Sequence, residues 1–349
     1  MTRSPRENYM LESGTTSKYG NDNSTTGTLP TGMTFISMGG SKPSAIQLES
    51  QSVKVGFWSR VLTLIAVLVP IFGILSAGKI LWGTGLHLID LYIAGVFYIL
   101  TGLGITIGYH RLFAHRSFEA HPVARVVLAI LGAMTLQGPL TQWVTDHRIH
   151  HMHSDKKGDP HSPNLAGDSF FGMLKGLLHA HVGWMFTEKG FYRTSKYATD
   201  IYEDKYLLRV DKLYLLWVTL SLALPFALGY GFGGTVELGL EMFVWAGLVR
   251  IFLFQHSTFA VNSICHKFGR RRYKTKDNSR NQFLVALLTF GEGWHNNHHA
   301  FPRSARHGLG KLQIDFSWVL IVVMQKLKLA SNISLPSGDQ AVKSALRKK

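Results

Sequence analysis

Apolar residues run through this chain in blocks of membrane-spanning length, with the polar residues collected between them. Residues 62–77 are broken only by Thr63, Pro70, Gly73 and Ser76. Residues 88–109 carry Asp90 near their start and no other charge. Residues 213–232 carry none, and residues 240–264 carry Glu241 at the edge and Arg250 inside. A helix needs about 20 mainly apolar residues to cross the hydrocarbon core, so the pattern predicts four transmembrane helices. A fifth run, 123–141, is apolar apart from Arg125 and Gln137. The segments on either side of it hold His110 and His115, and His147, His150 and His151. A crossing would put these histidines on opposite faces. The run is therefore read as a helix buried beside them, or re-entrant, which is tolerated where protein covers the backbone.

Charge sets the orientation. The loop after the first block has one basic residue, Lys79, and the loop at 233–241 has none. The N-terminal flank, residues 111–212 and the chain from Lys267 onward are rich in Lys and Arg. The positive-inside bias assigns these three to the cytosol, with both termini. The formal charge of +16 raises the question of nucleic acid. The basic residues flank apolar blocks, where anionic headgroups attract them, so membrane lipids are the expected partner and nucleic acid is not. An acidic electron donor is a second partner that suits the charge. Residues 1–52, rich in Ser, Thr, Gly and Asn, read as a disordered tail. They show no apolar core of a secretory signal, and Glu7, Glu12 and Asp22 count against a plastid transit peptide. Residues 53–328 form the membrane domain, and 329–349 read as a polar, basic, solvated tail. The single Cys265 excludes an internal disulfide and reads as a small buried apolar side chain.

Nine histidines in four clusters carry the chemistry: His110 and His115; His147, His150 and His151; His266; and His295, His298 and His299. Residues three and four apart share a helix face, so each His-x-x-His-His points one way. His110 and His115, five apart, converge if the helix ends between them and the chain turns. Neutral imidazole binds iron well, and nine imidazoles suffice for two metal ions with open positions. Zinc hydrolases manage with three protein ligands, and this chain shows no carboxylate cluster among the candidate ligands. Two redox-active irons that activate dioxygen against an unactivated C–H bond fit better, and a membrane site suits a long acyl chain. The other eight histidines have no repeated spacing that calls for a metal. His87, His121, His153, His161, His179, His181 and His307 read as ordinary polar residues, and His256 as a hydrogen-bonded packing residue.

The clusters sit in longer matching stretches. These are Val261-Asn-Ser-Ile-Cys-His266, Asn278-Ser-Arg-Asn281, the run from Leu288 through Gly-Glu-Gly-Trp-His-Asn-Asn-His-His to Pro302, and Ser304-Ala-Arg-His-Gly308. Trp143, Asp159-Pro-His161 and His181-Val-Gly-Trp184 match too. Over about residues 55–325 the chain resembles the membrane fatty-acid desaturases, specifically the Δ9 acyl-CoA and acyl-lipid group, and is closer to the bacterial and plant type than to the animal type.

The resemblance implies an all-α integral membrane fold, with four transmembrane helices and a cytosolic helical cap carrying a di-iron site. It implies a bacterial inner membrane, O2 as co-substrate, and a cis double bond inserted at carbon 9 of a saturated acyl chain. No haem-binding stretch is recognised, so a separate donor, ferredoxin or cytochrome b5, is expected to deliver electrons. By the same match the nine histidines bind the two irons, and Asn262 holds a water on one of them. Trp143 and Asp146 match residues at the acyl entrance of the animal enzymes, where the neighbouring position is an Arg that contacts CoA. This chain has Thr145 there, which weakens a CoA-linked substrate and leaves a lipid-linked or carrier-linked chain open. Trp143 can equally serve as an interfacial anchor. Gly102, Gly104 and Gly132 either leave room for the acyl chain or permit close helix packing. The same histidine spacing also occurs in membrane hydroxylases and oxygenases, and a scaffold that merely keeps the metal shell is a further alternative.

Overall fold

The computed structural model describes residues 57–83, 87–187, 194–338 and 345; the tail expected over 1–52 lies outside them. Helix α1 is Phe57–Gly83. Helix α2, Leu88–Leu103, runs without a break into a π-helical segment, Gly104–Ala114. After β1 (Glu119–Ala120) come α3 (Pro122–Ala133), α4 (Leu140–His153), α5 (Phe170–His181), α6 (Lys205–Lys212) and α7 (Tyr214–Gly233). The next apolar block is helical in three pieces: α8 (Val236–Met242), a second π segment (Phe243–Val249) and α9 (Arg250–Ser263). Short helices α10 (Phe283–Leu288) and α11 (His295–Ala300) precede α12 (Phe316–Lys326) and β2 (Ala330–Ser331).

Three helices among the described residues are long and apolar enough to cross a membrane: those holding Thr63–Ile80, Leu88–Ala114 and Tyr214–Gly233. The fourth expected block is helical over its length, yet it carries Arg250, of which 1% is exposed. That guanidinium donates to the carbonyls of Ala246, Ser221 and Met134 and to Ser221 Oγ. Met134 caps the C-terminus of α3. A cation there satisfies a carbonyl left open at a helix end and favours its dipole. This block is not among the three helices with the length and apolarity of a span, so the fourth expected span is not confirmed.

The apolar run 123–141 is not one helix. It stops at Ala133, passes through Leu136 and Gly138 at positive φ, and restarts after Pro139. Proline disfavours a helical residue before it and has no N–H to give. At 12 residues, α3 is roughly 18 Å long, short of a hydrocarbon core of about 30 Å. It lies against the first π segment through small residues. A Cβ on Gly104 would sit 2.2 Å from the Gly132 backbone nitrogen, and one on Gly132 would sit 2.4 Å from the Tyr109 ring. A Cβ on Gly102 would meet the Phe254 and Phe290 rings at 2.6 Å. These glycines serve close packing.

The segment after residue 329 begins as part of the fold. Ala120 pairs with Ala330 and Glu119 with Ser331. Ser334 N donates to Ser117 O, and Ala330 is buried. Arg148 ties α4 to its surroundings: it donates to the carbonyls of Phe113, Ala114 and Tyr197 and pairs bidentately with Asp200.

Candidate metal centre

The π winding solves the five-residue spacing of the first cluster. In an α-helix five residues turn the chain by about 500°, leaving two side chains roughly 140° apart. Here His115 N bonds to His110 O at 3.0 Å, an i→i+5 contact of the kind that recurs at functional sites. The rings of His110 and His115 come to 4.8 Å, centroid to centroid. The helix does not end between them, as the spacing suggested; it widens and continues to Ala114.

Helix α4 presents His147, His150 and His151, α11 presents His295, His298 and His299, and a 3-10 turn at Ile264–His266 closes α9 with His266. The two asparagines inside the last cluster lock α11 in place. Asn296 Oδ1 accepts from the backbone of Arg272 and Tyr273, and Asn297 donates to His307 O and Gln313 Oε1.

The structure brings all nine histidines together in two groups. His110, His115, His147, His151 and His298 have ligand atoms within 4.8 Å of one another, and so do His150, His266, His295 and His299. The Nε2 atoms face each other: His115 to His147 at 2.7 Å, His298 to His151 at 2.9 Å and to His110 at 3.2 Å, His266 to His295 at 2.9 Å. A neutral imidazole has one N–H and one lone pair. Several lone pairs turned toward one buried point repel unless a cation sits between them. Metal–nitrogen bonds of about 2.0–2.1 Å put two ligands up to roughly 4.2 Å apart, close to the span of each group. The donor set thus fits two metal ions, and imidazole suits iron among others.

Four carboxylates that the sequence reading overlooked stand behind the rings. Asp159 meets His150 Nδ1 at 2.9 Å, Asp155 meets His266 Nδ1 at 3.0 Å, and Asp277 meets His299 Nδ1 at 2.8 Å. Glu292 pairs with His110 Nδ1 and reaches His307 Nδ1 at 3.2 Å. Each bond fixes the tautomer so that Nε2 keeps its lone pair. Burial raises the Asp159 carboxyl, but His150 and His161 outweigh it and hold it well below the usual range. Asp155 and Asp277 are likewise lowered against burial, by His266 and His299 respectively. Burial, together with neighbouring histidines, pushes His115, His147, His151, His295 and His298 well below their ordinary value. His299 falls to about 4 through burial, against the pull of Asp277. These imidazoles are neutral, the form that binds metal.

Two histidines read as ordinary also border the site. His161 stacks on His150 at 4.3 Å, and His307 lies 4.5 Å from His298, with 1% of it exposed. The signal was present in the matched stretches Asp159-Pro-His161, Gly-Glu-Gly-Trp-His and Ala-Arg-His-Gly, but without a repeat it could not be separated from loop chemistry. Trp143 stacks on His147 at 5.1 Å and 17°, so it backs a candidate ligand. Asp146 is buried and accepts from Gln142. Asn262 is half-buried four residues before His266, and its side chain bonds to no described protein group.

The described residues are thus mostly helical, with membrane-length helices and two buried histidine groups that could hold metal ions. The family model that matches is the fatty acid desaturase, over residues 82–315. The chain belongs to the fatty acid desaturase family and is an oxidoreductase. It is 40% identical over 77% of its length to the hex-5-enoyl-(acyl-carrier protein) acetylenase of Moorena producens, covering 84% of that protein. It is 41% identical over 70% of its length to the sn-1 stearoyl-lipid 9-desaturase of Synechocystis, covering 71% of it. The protein of the same name from Anabaena variabilis is 38% identical over 70% of this chain and 84% of its own.

Proposed function

We propose that this protein is a Δ9 acyl-lipid desaturase whose nine histidines hold two irons. The observation that carries the reading is the convergence of two buried histidine groups, of five and four members, in a chain similar to two stearoyl-lipid 9-desaturases. Iron bound there supplies the activation of dioxygen that an unactivated C–H bond requires. Two hydrogens leave adjacent methylenes of the acyl chain. Two electrons come one at a time from a separate donor, ferredoxin or cytochrome b5, two protons come from solvent, and dioxygen leaves as two waters.

The protein's own groups orient and exclude. The carboxylates behind the rings keep Nε2 turned inward, and burial of the site excludes bulk water. Asn262, one helical turn before His266, completes the four-histidine group through a water. Trp143 and Asp146 flank the acyl entrance. Thr145 is fully buried, so no headgroup-binding cation stands at the position that contacts CoA in the animal enzymes; this favours a lipid-linked chain. The basic segments and the histidine groups face the cytosol, as do both termini, in a bacterial inner membrane, with 53–328 as the membrane domain.

The test is expression in a desaturase-deficient host supplied with ferredoxin, followed by mapping of double bonds in total lipid. A cis bond at carbon 9, counted from the carboxyl end across several chain lengths, is expected. A hydroxylated or acetylenic product, or a bond at a fixed distance from the methyl end, refutes the assignment.

A further inference from the structure

The two histidine groups are not equivalent in what stands behind them. In the four-histidine group three of the four Nδ1 atoms meet a carboxylate: His150 meets Asp159, His266 meets Asp155 and His299 meets Asp277. In the five-histidine group only His110 does, through Glu292. Among the described residues no carboxylate pairs with His115, His147, His151 or His298, and His298 Nδ1 is buried without a hydrogen-bond partner.

The charge balance differs in the same sense. Glu292 lies against Arg111, whose side chain is fully buried and reaches Glu292 Oε1 at 3.1 Å and Asp315 Oδ1 at 2.9 Å. Much of the Glu292 charge is therefore spent on that cation. The carboxylates of Asp155, Asp159 and Asp277 form no ion pair with Lys or Arg among the described residues, although Arg271 donates to the Asp277 backbone carbonyl at 2.8 Å. They are braced by neutral donors instead. Asp155 accepts from Ser162, Asn164 and the Asn278 backbone, and Asp277 from Ser279. Three anionic charges one imidazole away from a bound ion raise the ligands' basicity and offset the ion's charge.

We infer that the two sites bind metal unequally, with the four-histidine site the tighter one, and that Asp155, Asp159 and Asp277 are the positioning residues that make it so. Loss of one such partner lowers metal affinity by roughly 10–100-fold, and three against one outweighs the single additional imidazole of the other group. The inference rests on the two-ion reading of the site.

The experiment titrates Co(II) into the full-length, metal-stripped protein in lipid nanodiscs against a competing chelator. Uptake is read from the visible absorption of the histidine-bound ion and from metal per chain. Two ions are expected, in two affinity classes at least about tenfold apart, from the same per-carboxylate range. The isosteric Asp277→Asn should weaken the tighter class by roughly 10–100-fold and leave the looser one in place. Asp155→Asn, which breaks a different bond of the same group, should do the same. Glu292→Gln should weaken the looser class. A general loss of fold would move both classes together in every variant, and that result overturns the inference. So do two ions of equal affinity, or Asp277→Asn acting on the looser class. Uptake of fewer than two ions by the unaltered protein sinks the two-ion reading itself.

Discussion

Removing the Arg111 guanidinium while keeping its bulk, as Arg111→Met, is the sharpest test of how the site is held. Arg111 follows the first histidine and is fully buried. It donates through Nε and Nη2 to Glu292 Oε1 at 3.2 and 3.1 Å. Nη1 reaches the Ala305 carbonyl at 2.8 Å and Asp315 Oδ2 at 3.2 Å. Asp315 also accepts from the backbone of His307, Gly308 and Trp318. Gly291 leaves room for the pair, since a Cβ there would lie 2.5 Å from Asp315 Oδ1. The variant strands two buried carboxylates without their shared cation. Breaking a buried pair from one side costs about 3–5 kcal/mol. Arg111→Lys keeps a charge but loses the planar fork, so it should recover only part. The assay is unfolding in mixed micelles, with Glu292→Gln and Asp315→Asn combined to form a double-mutant cycle. The triple variant should regain much of the loss, because the stranded charges are gone. A loss below about 0.5 kcal/mol, the range of ordinary surface changes, would refute the claim that this arginine neutralises the base of the site.

Gly104→Ala should destabilise by about 1–3 kcal/mol or more, because its Cβ meets backbone that cannot swing away, whereas Gly95→Ala, with nothing within 4 Å, should cost nothing; thermal melts of the two compare them directly. Ala at His150 or His298 should abolish product while the protein still reaches the membrane, and wild-type turnover in either would count against the di-iron assignment. The metal-free protein should lose stability as pH falls below about 6.5, the ordinary histidine value. His115, His147, His151, His295 and His298 are depressed when folded, so below that value the unfolded chain takes up protons that the native state refuses, at up to about 1.4 kcal/mol per pH unit for each group. His150, raised against burial by Asp159, works the other way; an unfolding midpoint flat from pH 8 to 5 would contradict the depressed histidines. A topology reporter at Gly234 should read outside, and reporters at residue 165 and the C-terminus inside.

Much of the ligand geometry was legible because helical periodicity is a strong signal. His-x-x-His-His places three side chains on one face of α4, and again on α11, wherever those helices sit. The long apolar blocks were legible for the same reason, since mean hydropathy over some 20 residues survives any detail of packing. The run 123–141 misled because apolarity does not register a backbone break. α3 ends at Ala133, the chain turns through Leu136 and Gly138 at positive φ, and α4 starts after Pro139. His110 and His115 misled in a subtler way. Their spacing was judged against an α-helix, and nothing in Gly-Ile-Thr-Ile-Gly-Tyr announces a π segment. The winding follows from tertiary demands: Gly104 and Gly108 lie against α3, while His110 and His115 both reach toward α4 and α11.

The carboxylates were hidden for a different reason. Asp155 and Asp159 lie just past α4, Asp277 in the irregular chain before α10, and Glu292 in the turn before α11. Periodicity has no purchase on any of these segments. Each carboxylate approaches a histidine distant in sequence or across a loop, so only the folded chain reveals the pairing. The sequence argument that an all-histidine set lacks nearby carboxylates is therefore corrected in one respect. No carboxylate joins either ring of converging Nε2 atoms, yet four of the nine imidazoles lean on one from behind. That arrangement keeps the candidate ligands oriented while placing negative charge one ring away. It also distributes that charge unevenly, three to one, which no count of histidines could have shown.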